Sequence, residues 1–137
     1  MSQESNSQIQ DFLDWKDLGK WEEPHAYYKT YTAHNPLCGD QISLHCSRFE
    51  DQIKIESLQG EACSVCLASA GILYDHKRNW NLESLNSYLV ELENFLNDSE
   101  PLFTTSSAQK KFWNVMKVNP GRHRCAFLPF QALKKAF

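Results

Sequence analysis

The segment Gln41-Ile42-Ser43-Leu44-His45-Cys46-Ser47 alternates apolar and polar side chains, and after a short break Gln52-Ile53-Lys54-Ile55-Glu56-Ser57-Leu58-Gln59 follows. Alternation puts every second side chain on one face, as a half-buried strand requires. Ile42, Leu44 and Cys46 share a face of the first segment, and Ile53 and Ile55 share a face of the second. Phe49-Glu50-Asp51 between them reads as a tight turn, so the pair is expected to form an antiparallel hairpin. Upstream, residues 27–34 are rich in Tyr and Thr and read as another strand, which makes a meander of three.

After Gly60 the period changes from two to that of a helix. Val65, Ala68, Ser69 and Ile72 recur at helical spacing, which places Cys63 at a helix N-terminus. Asn81 is a suitable N-cap for a helix over 82–96, with Leu82, Leu85, Leu89, Leu92 and Leu96 as its apolar stripe. Residues 97–101 end it. Ser106 and Gln109 form a capping box for a helix to about Lys117 that buries Phe112 and Val115. Asn119-Pro120-Gly121 reads as a turn, and the last helix is expected to begin near Cys125, with Pro129 tolerated only within its first turn or so. At the other end, residues 1–8 read as frayed and 9–18 as a short amphipathic helix ending at Gly19. The expected architecture is α+β: a small antiparallel three-stranded sheet followed by helices packed on one face. A single domain is expected over 19–137, preceded by the 1–18 segment.

A chain of 137 residues can bury a real core without disulfide staples. Its 42% hydrophobic and 23% charged content is that of an ordinary globular protein. The net charge is −3 and no basic block is present, which argues against a nucleic-acid partner. The longest nearly apolar run, 65–74, is shorter than the roughly 18 residues a membrane span needs. The first ten residues are polar, so no secretory signal is expected and the cytoplasm is the default location. Five cysteines, an odd number, do not suggest a disulfide framework there.

Three of those cysteines lie in distinctive settings: Asn35-Pro36-Leu37-Cys38-Gly39-Asp40, Gly60-Glu61-Ala62-Cys63 and Arg122-His123-Arg124-Cys125-Ala126. Three thiols and one carboxylate suit one tetrahedral zinc or one iron–sulfur unit. Gly39 lets the chain bend so that Cys38 and Asp40 can face one centre. The helix start at Cys63, and the arginines beside Cys125, are expected to favour thiolates. Cys46 reads as a core residue. His123 is an alternate ligand candidate by proximity to Cys125. Cys63-Ser64-Val65-Cys66 has the spacing of a thiol redox motif, but without the parallel βαβ setting of thioredoxin-like proteins, so packing is the simpler role for Cys66. A structural zinc domain and a metal-free binding module are the remaining alternatives.

Taken in order, Asn-Pro-x-Cys-Gly-Asp, the hairpin, Gly-x-Ala-Cys followed by Ala68-Ser69-Ala70, and Arg-x-x-Cys-Ala before a C-terminal helix resemble the IscU/NifU/SufU iron–sulfur scaffold family. The resemblance covers about residues 19–137 and is nearest to the SufU branch, because the stretch between Cys63 and Cys125 is long, residue 124 is Arg, and Arg122 stands three before the last cysteine. It implies the SufE/NifU-like scaffold fold and ligands at Cys38, Asp40, Cys63 and Cys125. It also implies zinc as cofactor, with a transient iron–sulfur cluster as the alternative, and a pyridoxal-phosphate cysteine desulfurase (SufS-like) as partner, with iron–sulfur assembly proteins downstream. Cys38 is then the expected sulfur acceptor, assisted by Arg122. The chain departs from the family at Ser69-Ala70-Gly71-Ile72, at the extra Cys66, and in lacking the Tyr-x-x-Pro-Arg-Asn helix before the sheet.

Overall fold

The computed structural model describes residues 19–24, 26–76, 79–98 and 107–137. The expected helix over 9–18 and the cap at Ser106 lie outside them. Strands β1 (Lys29–Asn35), β2 (Asp40–Phe49) and β3 (Gln52–Glu61) form the expected antiparallel meander. The sheet has four strands rather than three, because β4 (Asn79–Trp80) pairs antiparallel with Ile53 and Lys54 of β3. Two residues are too few to show a period, and what anchors β4 is Trp80, 1% exposed in the core. Helices α1 (Ser64–His76), α2 (Leu82–Asp98), α3 (Ser107–Lys117) and α4 (His123–Lys134) complete the chain, with a 3-10 turn over Pro120–Arg122 before α4.

Glu50 takes φ 57° in the hairpin turn. Farther along the hairpin, the register shifts between His45 and Cys46: Cys46 faces Ile55, whereas His45 faces Ser57. Glu56 is thus the extra residue of a bulge, and the inward positions of β3 change from 53 and 55 to 58. The single face inferred from Ile53 and Ile55 therefore does not continue along the strand. Leu58 pairs with Leu44 and is fully buried, a position that strict alternation from Ile55 would have turned outward.

On the apolar side of the sheet, α4 packs against α1, β1 and β2. An aromatic cluster joins the later elements: Trp80 meets Tyr88 edge-on at 5.9 Å, Tyr88 stacks on Phe130 at 5.6 Å, and Trp113 lies 6.2 Å from Phe130. Trp113 Nε1 donates to Tyr88 Oη at 3.2 Å, so burying the indole N–H leaves it satisfied. Asn81 caps α2 as expected: Ser84 N–H donates to Asn81 Oδ1 at 2.7 Å, and Asn81 N–H donates to Ser84 Oγ at 3.0 Å. Of the expected leucine stripe, Leu82 is the exception at 47% exposed, since the cap turns the first helical residue to solvent. Phe112 is buried as expected and Val115 only partly, with Trp113 and Met116 carrying the rest of that face. Pro129 sits in the interior of α4 and not in its first turn. It leaves the Cys125 carbonyl without its helical donor. Ser69 Oγ donates to the next carbonyl, Ala126 O, at 2.5 Å and pins α4 to α1.

The opposite side of β2 is polar. Thr30 Oγ1 and His45 Nδ1 lie 2.9 Å apart, and Thr32 Oγ1 and Ser43 Oγ 2.8 Å. His45 is 1% exposed, and its Nε2 makes no hydrogen bond of ordinary length. Burial holds its pKa below the usual histidine value. A depressed histidine pKa means that the unfolded chain binds more protons below that usual value, about 6.5. The His45 contribution to stability is therefore complete above the usual value and shrinks as the pH falls from there toward the folded pKa. Chemical denaturation of wild type and His45→Gln at neutral pH and at about pH 5 is expected to show a smaller acid-induced loss in the variant.

Candidate metal centre

The β1–β2 turn, the end of β3 and the start of α4 meet at one corner. Asn35 shapes the turn: its Oδ1 accepts Leu37 N–H at 3.1 Å, and its carbonyl accepts Gly39 N–H at 2.9 Å. Gly39 takes φ 75°, a left-handed conformation that other residues adopt only under strain. The chain there reverses so sharply that Cys38 on the turn and Asp40 at the first position of β2 face the same centre. Cys38 Sγ, an Asp40 carboxylate oxygen and Cys125 Sγ all lie within 4.8 Å of one another. Cys38 is exposed, whereas Asp40 and Cys125 are buried.

Cys63 adjoins the group. It precedes α1 and its carbonyl accepts Leu67 N–H at 3.0 Å, the position of an N-cap. Its own N–H donates to Asp40 Oδ1 at 2.9 Å, and its thiol interacts with the Asp40 carboxylate and the Cys125 thiol. Of the four residues expected from the sequence, Cys38, Asp40 and Cys125 form the close group, and Cys63 adjoins it through Asp40 and Cys125.

Burial pulls the Asp40 carboxyl upward, but hydrogen bonds from the Cys63 thiol and N–H and from the Cys38 and Cys125 thiols outweigh it, leaving the group below its usual value. The expectation that the helix start and the arginines would favour thiolates is not met in the bare protein. Burial raises the Cys63 thiol even though Cys66 N–H donates to it. Burial, followed by the neighbouring Cys63 and Asp40, pushes Cys125 up to about 12. Arg122 and Arg124 are exposed to water and do not offset this. Anions gathered in one buried corner disfavour one another, and a bound cation removes that cost.

The residues fit such a cation. Asp40 Oδ2 is buried and accepts no hydrogen bond of ordinary geometry, with only the neighbouring thiols beside the carboxylate, an arrangement costly for a carboxylate oxygen unless something else takes its lone pairs. A tetrahedral zinc with sulfur and oxygen ligands holds its donors roughly 3.5–4 Å apart, and the three donors here all lie within 4.8 Å of one another. Cys46 and Cys66 are core residues, 2% and 0% exposed, and burial pushes the Cys46 thiol up to about 12 and the Cys66 thiol well above its usual range. His123 does not join the centre. Its Nε2 lies 2.6 Å from the Met116 carbonyl and its ring meets Phe127 edge-on, so contacts with α3 and α4 hold the imidazole. Arg122 is exposed in the 3-10 turn, three residues before Cys125.

No protein-family model matches the chain. Over 101 residues, 74% of this chain and 69% of the other, it is 26% identical to the zinc-dependent sulfurtransferase SufU of Bacillus subtilis. The chain is thus similar to the IscU/NifU/SufU family. Solved structures of the same fold include an N-terminal NifU-like protein from Brucella abortus, with a TM-score of 0.75 at 17% identity over 93% of this chain and 90% of that one. A protein of Fervidobacterium islandicum, described as an iron–sulfur cluster assembly scaffold for the SUF system, gives a TM-score of 0.76 at 20% identity over 91% and 92%. The α+β architecture inferred from the periodicity is the one these solved structures share. Among the described residues, no helix is long and apolar enough to cross a membrane.

Proposed function

We propose that this protein is a zinc-dependent sulfur acceptor in iron–sulfur cluster assembly, with zinc held by Cys38, Asp40, Cys63 and Cys125. The observation that carries the reading is the convergence of Cys38, Asp40 and Cys125 within 4.8 Å, with the buried Asp40 Oδ2 accepting no hydrogen bond of ordinary geometry. The named activity of the Bacillus subtilis relative supports it. When bound, zinc would hold the thiols deprotonated at neutral pH. All five cysteines are free thiols, which suits a reducing cytoplasm.

Cys38 is the acceptor. It is the exposed thiol of the group and stands on a turn, so a partner can reach it without opening the core. The Cys38 thiolate attacks the outer sulfur of a persulfide on a cysteine desulfurase. A sulfur–sulfur bond forms at Cys38, the donor's sulfur–sulfur bond breaks, and the donor cysteine leaves as a thiolate. Half-buried Cys63 and buried Cys125 and Asp40 keep the remaining donors in place during the exchange. Exposed Arg122, three residues before Cys125, would offer a fixed positive charge to the anionic sulfur.

The test is a single turnover with zinc-loaded protein, a pyridoxal-phosphate cysteine desulfurase and cysteine, followed by peptide mass mapping. The expected product is a gain of one sulfur atom on tryptic peptide 30–48, removable by a thiol reductant. Absence of that adduct under conditions where the desulfurase itself becomes persulfidated would contradict the proposal.

A further inference from the structure

Cys66 is outside the donor set, yet it lies one helical turn beyond Cys63. Cys63 occupies the N-cap of α1 and Cys66 the third helical position. The Cys66 N–H and the Cys125 thiol are both neighbours of the Cys63 sulfur, and Cys66 is the one on the same helical turn. Side chains three apart on a helix are neighbours, roughly 5–6 Å between Cβ atoms, whereas a disulfide needs about 3.5–4.5 Å. The N-cap residue has non-helical backbone angles, and a small rotation there closes the gap without breaking the helix. Cys66 is 0% exposed, so an oxidant in solution meets half-buried Cys63 first.

We propose that Cys63 and Cys66 form a peroxide-driven, reversible disulfide site that disables the metal centre. The Cys63 thiolate attacks one oxygen of a hydroperoxide. A sulfur–oxygen bond forms, the oxygen–oxygen bond breaks, and the leaving oxygen takes up a proton. The Cys66 sulfur then attacks the resulting sulfenic acid. The sulfur–sulfur bond forms, the sulfur–oxygen bond breaks, and the hydroxide leaves as water with the Cys66 proton. Two thiols give two electrons to the peroxide, which is reduced. Without a nearby thiol, a sulfenic acid goes on to the irreversible sulfinic acid. Cys66 therefore converts damage at Cys63 into a change that thiols can repair. The consequence for the metal rests on the proposal that Cys63 is a ligand, whereas the disulfide itself does not.

Trypsin separates the possibilities, because peptide 55–77 holds both Cys63 and Cys66, peptide 30–48 holds Cys38 and Cys46, and peptide 125–134 holds Cys125. Metal-stripped and zinc-loaded protein are each treated with equimolar hydrogen peroxide, alkylated and mapped. The expected result is peptide 55–77 lighter by two hydrogens, restored by dithiothreitol, with zinc released from the loaded sample in the same proportion. Disulfide linkage of peptide 55–77 to peptide 125–134 or 30–48 as the main product would overturn the proposal. Cys66→Ala, given at least two equivalents of peroxide, is expected to bind zinc before oxidation but then to lose it irreversibly, with Cys63 as sulfinic acid. Reversible release by that variant would overturn the proposal equally. The stripped sample reports on the disulfide even if the protein binds no zinc, which keeps failure here distinct from failure of the functional reading.

Discussion

Cys38→Ala is expected to abolish sulfur acceptance from a cysteine desulfurase, with the adduct on peptide 30–48 falling to background. Of the three thiols at the corner, Cys38 is the exposed one, while Cys125 is buried and Cys63 is half-buried and held by the cap of α1. No other thiol offers a docked persulfide the same line of approach. The loss is expected to come without unfolding: removing an exposed side chain from a turn costs within about 0.5 kcal/mol, measured by urea denaturation of the metal-stripped protein. A variant that still accepts sulfur at the wild-type rate would remove Cys38 from the acceptor role.

Phe130→Ala is expected to have the largest effect on stability, about 3–5 kcal/mol. The ring is 2% exposed, stacks on Tyr88 of α2, and touches Trp113 of α3 and Phe127 of its own helix. Its removal leaves a cavity where three helices meet, and rigid aromatic neighbours refill such a space poorly. A domain with a total stability of about 5–15 kcal/mol would lose a large part of it. The effect reaches the metal centre because α4 carries both Phe130 and Cys125. Urea midpoints for Phe130→Ala are expected far below wild type, whereas Val90→Ala, at a 56% exposed position of α2, is expected within about 0.5 kcal/mol of it. Similar midpoints for the two variants would contradict the packing described here.

The hairpin was legible because its burial follows a period of two through Ile42, Leu44 and Cys46, and the cap at Asn81 because its chemistry is local. The bulge at Glu56 was not, since one inserted residue changes the inward face without altering composition. Neither was β4, whose two residues carry no period and are held by tertiary contacts of Trp80. Mid-helix Pro129 ran against local preference because burial and the Ser69 bond hold α4 in place. At the candidate centre, the residue types and the order of the three motifs were readable in advance. The rise of the Cys63 and Cys125 thiols was not, because it depends on burial and mutual approach, which no linear spacing states.

Elemental analysis of the purified native protein, alongside Cys63→Ala, tests the central claim most directly. The account predicts about one zinc per chain in the wild type and little or none in the variant, with the stripped wild type rebinding zinc on titration. Iron with acid-labile sulfide in place of zinc, or a protein that holds no metal and takes up none when zinc is supplied, would contradict it.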